Sequence, residues 1–532
     1  MACTTILVGK NASYDGSTII ARNEDSPAGQ FTAKRMKVVL PADQPRHYRS
    51  TISHVEIDLP DNPLRYSSVP DACTSKGIWA AAGVNEADVA MTATETLTSN
   101  ERVLGADPLV ELTEARGKKG EADYVDEQSG GIGEEDMVTL VLPYIRSARE
   151  GVERLGSLLE TYGTYEMNGI AFSDVDEIWW LETVGGHHWI ARRVPDDCYV
   201  TMPNQLGIDE FDLTDACGKK SEFMCSADLE TWMDEHHLDL MTITARATGE
   251  AKGSKTDGAR ISEASAAATR IFNPRDAFGS HSDADHVYNT PRAWSMHRYL
   301  APHGGWDDPA GALGPESDDL PWCKVPEHKL TIEDVKYALS LHYQGTPFDP
   351  YGRLGSDSTR GIYRPIGINR NNFLAVLQIR PYAPAGSRAL QWMAFGSNIF
   401  NALVPLFANV NELPEYLSNT EEGRVSTESL YWASRLIAAL ADAQFSLNTA
   451  HIERYQLAVG SKGHALVAKA DREVAKLAYA DAAARLVAAN ERLVAANERL
   501  AAMLRDETDR LLFNVLFTTS ENMRNAYSRS DG

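Results

Sequence analysis

Cysteine is scarce in this sequence, six residues in a chain of 532, and no two of them form a CxxC unit. That excludes a zinc ribbon or a thioredoxin-like motif, and so few thiols cannot make a disulfide scaffold. Long apolar runs are also missing. No stretch reaches the ~18 residues a spanning helix needs. The opening, MACTTILVGKNASYDGS, has no charged segment ahead of its short apolar run at 6–8, so it does not read as a signal peptide. The cytoplasm is therefore the expected location. Positive charge is in deficit, 51 Lys and Arg against 75 Asp and Glu, for a formal net charge of −24. A field of that sign repels phosphate backbones and anionic headgroups, which argues against nucleic acid and membrane partners.

What is present reads as an ordinary soluble globular chain, with 43% hydrophobic and 24% charged residues. Short β-like runs alternate with turn signals over the first hundred residues. Residues 4–8 and 17–21 flank the turn cluster NASYDG at 11–16, and further strands are expected at 34–40, 78–83 and 89–94. Helical spacing follows at 135–148 and 151–162, with Pro143 set to kink the first or end it. Strands return at 169–173, 177–182 and 188–193, and later at 373–379 and 389–396. In the second of these, one of the pair Trp179–Trp180 is expected in the core, because neighbours in a strand face opposite sides. Residues 301–325, heavy in Gly, Pro and Asp, read as a long surface loop. Strands gathered in runs imply layered α+β with mostly antiparallel sheets.

The last hundred residues differ. After Gly463 there is no proline and no glycine until the final residue, and RLVAANE at 485–491 recurs unchanged at 492–498. Leu486, Leu493 and Leu500 fall seven apart, and Leu504 and Leu511 continue the stripe. Such spacing serves a helix packed on its own chain or a homo-oligomer contact.

Cys3 raises a chemical question. Were residues 1 and 2 removed, its own α-amine, with a reference pKa of about 7.7–8.0, would work near neutral pH. That amine can take the thiol proton and later protonate a leaving amine, so one residue supplies nucleophile and base. The bland alternative is a small buried hydrophobe at a strand start. The turn at 11–16 would fold the second strand back along the first and bring Arg22 close to Cys3. A guanidinium there favours thiolate. Asp25 could hold the new ammonium. Two turn-like stretches, Gly83-Val84-Asn85-Glu86 and Met202-Pro203-Asn204-Gln205, offer amide donors to an oxyanion. His281, Asp283, Asp285 and His286 have the residue types of a metal site, but no HExxH supports it. No metal or organic cofactor is expected.

These stretches carry a resemblance. The opening Cys3-Thr4-Thr5, the strand-turn-strand and Arg22-Asn23-x-Asp25 resemble the choloylglycine and penicillin V acylase group of N-terminal-nucleophile hydrolases. More closely, MACTTILVGKNASYDGSTIIARNEDS, GVNEADVAMTATET, GIGEEDMVTLVLPYIRSAREGVERLG, GGHHWIARRVPDD, NTPRAWSM, YRPIGINR and LQIRP resemble the bacterial dipeptidase A family, relatives of the secernins. The resemblance implies a four-layer αββα N-terminal-nucleophile sandwich over residues 1–415, with a helical extension over 416–532. It implies a cysteine dipeptidase acting on small dipeptides. Cys3 is then the nucleophile, with Arg22 flanking the thiol and Asp25 orienting the amine. Asn85 lends a backbone N–H to the oxyanion hole and Asn204 a side-chain donor. The acylases carry a second, late arginine, for which Arg270, Arg275 and Arg292 all stand as candidates. In the acylases the cysteine follows Met1 directly. Here Ala2 intervenes, so a further cleavage is required. An amidase on a non-peptide substrate and a secernin-like binding protein are the rival readings.

Overall fold

Residues 2–8, ACTTILV, are apolar or β-branched, and they form strand β1 (Ala2–Val8) in a computed structural model. The structure describes residues 2–73, 75–241, 270–307, 313–384, 386–477 and 482–523. The NASYDG turn returns the chain as β2 (Thr18–Asp25), antiparallel to β1, with Cys3 opposite Glu24 and Thr5 opposite Arg22. Both strands lie inside a seven-stranded sheet ordered Cys323–Lys324, Tyr199–Met202, β1, β2, Asn371–Ile379, Ala389–Phe395, Val404–Phe407. A second sheet of eight strands runs Phe223–Cys225, Trp189–Arg193, Ile178–Thr183, Asn168–Ser173, Ala90–Thr96, Ala82–Asn85, Tyr66–Ser68, Lys37–Val39. Every pairing within the two sheets is antiparallel.

The two sheets face each other across one apolar layer. Leu7 and Ile20 from the first meet Val84, Ala90, Ala171 and Trp180 from the second. The outer face of the first sheet, through Ile6, Val8 and Ile19, packs on Met296, Val335, Val467 and Leu493 from helices. The outer face of the second, through Met91, Ile170 and Trp179, packs on Val138, Val152 and Leu155. The order of layers is helix, sheet, sheet, helix. Covering both faces explains a departure from expectation. Trp179 and Trp180 are both fully buried, one in each apolar layer, because neither side of their strand meets water.

Pro143 ends a helix, as its missing N–H requires. Glu134–Val141 stops just before the short 3-10 turn Leu142–Tyr144, and Ala148–Tyr162 follows. The stretch at 301–325 is less of a surface loop than its composition implies. Trp306, Leu320 and Trp322 are buried, and Trp306 stacks on His297 with its indole N–H donated to the Ala301 carbonyl at 2.7 Å. Among the described residues no helix is long and apolar enough to cross a membrane.

The helices Phe445–Ala475 and Ala482–Glu521 pack on each other and on the strand Val404–Phe407. Leu493, Leu500, Leu504 and Leu511 are buried within the chain itself. The leucine stripe therefore serves intrachain packing, and Leu486 alone of the five faces outward, at 55% exposure. Leu500→Ala should lower stability by about 2–5 kcal/mol through lost transfer energy and the cavity left behind. Leu486→Ala should stay within about 0.5 kcal/mol of the parent. Chemical denaturation of the two variants checks the contrast.

Candidate active site

Residues directly opposite in an antiparallel pair point to the same face, and so do residues two apart in one strand. Cys3, Thr5, Arg22 and Glu24 thus share the inter-sheet face of β1 and β2. The arrangement brings the Arg22 guanidinium to the thiol, with Nη2 donating to Cys3 Sγ at 2.9 Å. The same Nη2 reaches Glu134 Oε1 at 2.9 Å, and Nη1 donates to the carbonyls of Ala81 and Ala93. Cys3, Arg22 and Glu134 are all buried. Burial opposes the Arg22 charge, but Cys3, Glu134 and Glu24 outweigh it and keep the guanidinium protonated. Burial also dominates at the thiol. It pushes Cys3 up to about 12, against the pull of Arg22, and Glu95 and Glu134 push the same way. With Ala2 still attached, the thiol is protonated at neutral pH.

The other face of the strand ends holds a second cluster. Asp25 stands opposite Ala2 in register, one residue from the Cys3 nitrogen. Its carboxylate accepts from Asn23 Nδ2 at 3.0 Å, from Asn371 and from Arg364. Arg364 and Arg292 both lie against the ring of Tyr288. Arg292 is fully buried. It donates to the Cys3 carbonyl, to Thr4 Oγ1 at 2.7 Å, to Asn204 Oδ1 at 2.8 Å, to Asn289 Oδ1 at 2.7 Å and to the Tyr288 carbonyl at 2.7 Å. Burial, and then the repulsion of Arg364, lower its pKa to about 10. Of the three late arginines, this is the one that reaches Cys3. Arg270 pairs with Glu230 and Asp234, and Arg275 is spent on the carbonyls of Asp318, Leu320 and Gly207.

Asn204 reaches Cys3, but at its nitrogen. The Cys3 N–H donates to Asn204 Oδ1 at 3.2 Å, and Asn204 Nδ2 donates to the Thr96 carbonyl at 3.1 Å. Two donors, Cys3 N and Arg292 Nη2, converge on Oδ1 and so fix which end of the amide faces the nucleophile. Asn289 clasps the Asn204 backbone from both sides.

Asn85 does not join the cluster, which corrects its expected place in an oxyanion hole. Its backbone N–H donates to the Val89 carbonyl at 2.9 Å, closing the turn between two strands of the second sheet. Its side-chain amide donates to the carbonyls of Leu142 and Ile145, and Oδ1 accepts from Ala87 and Val89. An N–H already bonded within a tight turn is not offered to a transition-state oxygen. Among the described residues no three His, Cys, Asp or Glu side chains gather as a metal site would need, the 281–286 set included. His281 donates to the Arg275 carbonyl, His286 pairs with Asp318, and Asp285 accepts from Ser280 and Ser282.

Reasoning from residue types passed over Glu95, Glu134, Asn289, Arg364 and Asn371. Four of the five lie in stretches that carried the family resemblance: TATET, GIGEED, NTPRAWSM and YRPIGINR. The signal was present there, but nothing in one strand says which distant side chain will meet it.

Comparison with known proteins adds to this geometry. The model of peptidase family C69 matches residues 2–458. A dipeptidase of Bifidobacterium longum is 55% identical over an alignment of 563 positions, covering 100% of both chains. A probable dipeptidase A of Streptococcus pyogenes serotype M3 is 50% identical, again over 100% of both. Dipeptidase A of Lactobacillus helveticus is 42% identical over 92% of both.

Proposed function

Given that this chain belongs to peptidase family C69, we propose that it is a dipeptidase working through the thiol of Cys3. One observation carries the assignment to that residue: a buried guanidinium, ion-paired to Glu134, lies 2.9 Å from the sulfur at the start of the first strand. The helix–sheet–sheet–helix order supports an N-terminal-nucleophile sandwich over residues 1–415, with residues 416–532 packed on it as a helical extension. In this reading the chain described above is the precursor. Removing Met1 and Ala2 turns the Cys3 amide into an α-amine and so sets a base beside the thiol that burial holds protonated.

The chemistry then follows from the groups present. The amine takes the thiol proton, and the thiolate attacks the peptide carbonyl of the dipeptide. In this reading the Nδ2 hydrogen of Asn204 not spent on the Thr96 carbonyl donates to the oxyanion, while its Oδ1 and the Asp25 carboxylate orient the amine. The C–N bond breaks as the amine returns its proton to the departing amino acid. Water, deprotonated by the same amine, releases the acyl group from sulfur and regenerates the thiol. Arg292 tethers Cys3, Thr4 and Asn204 into one unit, so its part is positioning.

The test joins two measurements on purified protein. Intact mass should show the loss of the first two residues. A panel of free dipeptides, N-blocked dipeptides and acyl amides should show turnover concentrated on the free dipeptides. Turnover of acyl amides alone would make the protein an acylase. A chain that keeps Ala2 and hydrolyses nothing would be a binding protein.

A further inference from the structure

A dipeptidase must tell a free α-ammonium from a blocked one, and the charges around Cys3 point to how. Among the described residues, most are already neutralised at close range. Arg22 pairs with Glu134, Arg364 with Asp25, and Lys34 with both Glu24 and Asp71. Arg292, whose partners are all neutral oxygens, is one exception, and the one anion left over among them is Glu95. It is fully buried, its Oε2 accepts from Thr5 Oγ1 at 2.9 Å, and its Oε1 has no hydrogen-bond partner. No ion pair within 4 Å neutralises it among the described residues. Burial pushes its pKa up to about 8, with Arg292 and Arg22 pulling only from a distance.

The placement of this carboxylate is itself unusual. Along Ala90–Thr96, Ala90 faces the inter-sheet layer, whereas Met91 and Ala93 face the outer helices. Simple alternation would turn Glu95 outward as well. The register with Asn168–Ser173 slips between Ala93 and Glu95, so the strand carries one extra residue there. That bulge re-aims Glu95 at the nucleophile's face. Thr5, which it touches, is two residues along β1 from Cys3, roughly 7 Å at ~3.3–3.4 Å per residue. In a dipeptide the ammonium nitrogen is two bonds from the carbonyl carbon. A carboxylate that grips it therefore stands about 5 Å from that carbon. Glu95 lies on the thiol's face of the sheet, one side-chain contact from the residue two along from Cys3.

We propose that Glu95 receives the α-ammonium of the substrate, at the residue whose carbonyl Cys3 attacks. The inference rests on the dipeptidase reading and deepens it. An N-acetyl group would remove the cation that favours the ionised form of Glu95 and leave a buried polar group unmatched, the situation in which a site built for a polar group rejects its analogue most strongly.

The test compares kcat/KM for alanyl-alanine and for N-acetyl-alanyl-alanine in the parent, Glu95→Gln and Glu95→Asp. The parent should prefer the free dipeptide. In Glu95→Gln that preference should fall about 100-fold, chiefly through KM, because the lost contact is made before the transition state as well as in it. Glu95→Asp, which keeps the charge one methylene further back, should recover most of the preference. A parent that cleaves neither compound would refute the dipeptidase reading itself. A parent that prefers the free dipeptide, with the preference intact in Glu95→Gln, would overturn the role of Glu95 alone. Loss of both variants to unfolding would make Glu95 a structural carboxylate and overturn the assignment too.

Discussion

Replacing Cys3 by alanine is expected to abolish dipeptide hydrolysis, with a loss in kcat of about 10⁴-fold or more that added substrate does not restore. The size follows from chemistry. The thiol forms the covalent bond on which both half-reactions depend, and nothing else on the inter-sheet face of β1 and β2 is a comparable nucleophile: its neighbours there are Thr5, Arg22 and Glu24. The substitution removes one sulfur from a strand held by backbone pairing on both sides, so the fold should survive. Steady-state kinetics with a melting curve separates the two effects. Intact mass adds a second reading. If the thiol itself cleaves the bond ahead of it, Cys3→Ala should retain Ala2. Dipeptide turnover by a folded Cys3→Ala protein would end the proposal.

The second large effect is expected at Arg22. Arg22→Met keeps the bulk of the side chain but removes the guanidinium that buried Glu134 holds at 2.9 Å. Breaking a buried pair from one side costs about 3–5 kcal/mol, because the remaining charge stays desolvated. The same change removes the strongest charge that lowers the Cys3 pKa. Alkylation of the processed enzyme by iodoacetamide should slow, and kcat should fall by about 10²–10³, the usual cost of one preorganised donor. A double variant, Arg22→Met with Glu134→Gln, tells structure from chemistry. It should regain most of the lost stability and none of the lost activity. If activity returned with stability, Arg22 would be a scaffold residue.

How much of this was legible beforehand differs by distance along the chain. The hairpin of β1 and β2 was readable because its parts are local: two β-branched runs and one turn cluster. Once that hairpin is granted, Arg22 must lie beside Cys3. Asn85 marks where local reading fails. Its stretch 83–86 reads as a turn, yet Ala82–Asn85 is a strand and the turn comes after it, so the Asn85 N–H is spent on the Val89 carbonyl across that turn. The arginines at 270, 275 and 292 could not be ranked from residue type. Each is a buried or paired guanidinium in a polar stretch, and only Arg292 is carried to Cys3, by the helix Thr290–Leu300.

The leucine stripe and the tryptophan pair show the same limit from the apolar side. Seven-residue spacing says that a helix has a face to bury. It does not say against what, and here the answer is the chain's own strands and helices. Alternation says that neighbours in a strand face opposite ways, yet with a layer on each side both Trp179 and Trp180 are core. Short-range chemistry, set by neighbours within a few residues, thus determined the strands, the hairpin, the end of the helix at Pro143 and the nucleophile's proximity to Arg22. Glu134 and Glu95 come to the thiol's face only when two sheets close face to face, and Arg292 and Arg364 reach the other side of the strand end, at the Cys3 carbonyl and at Asp25, only when the outer layer packs on the first sheet. That closure is driven by burial of apolar area, which is non-directional, so no single segment encodes which charges it will trap together.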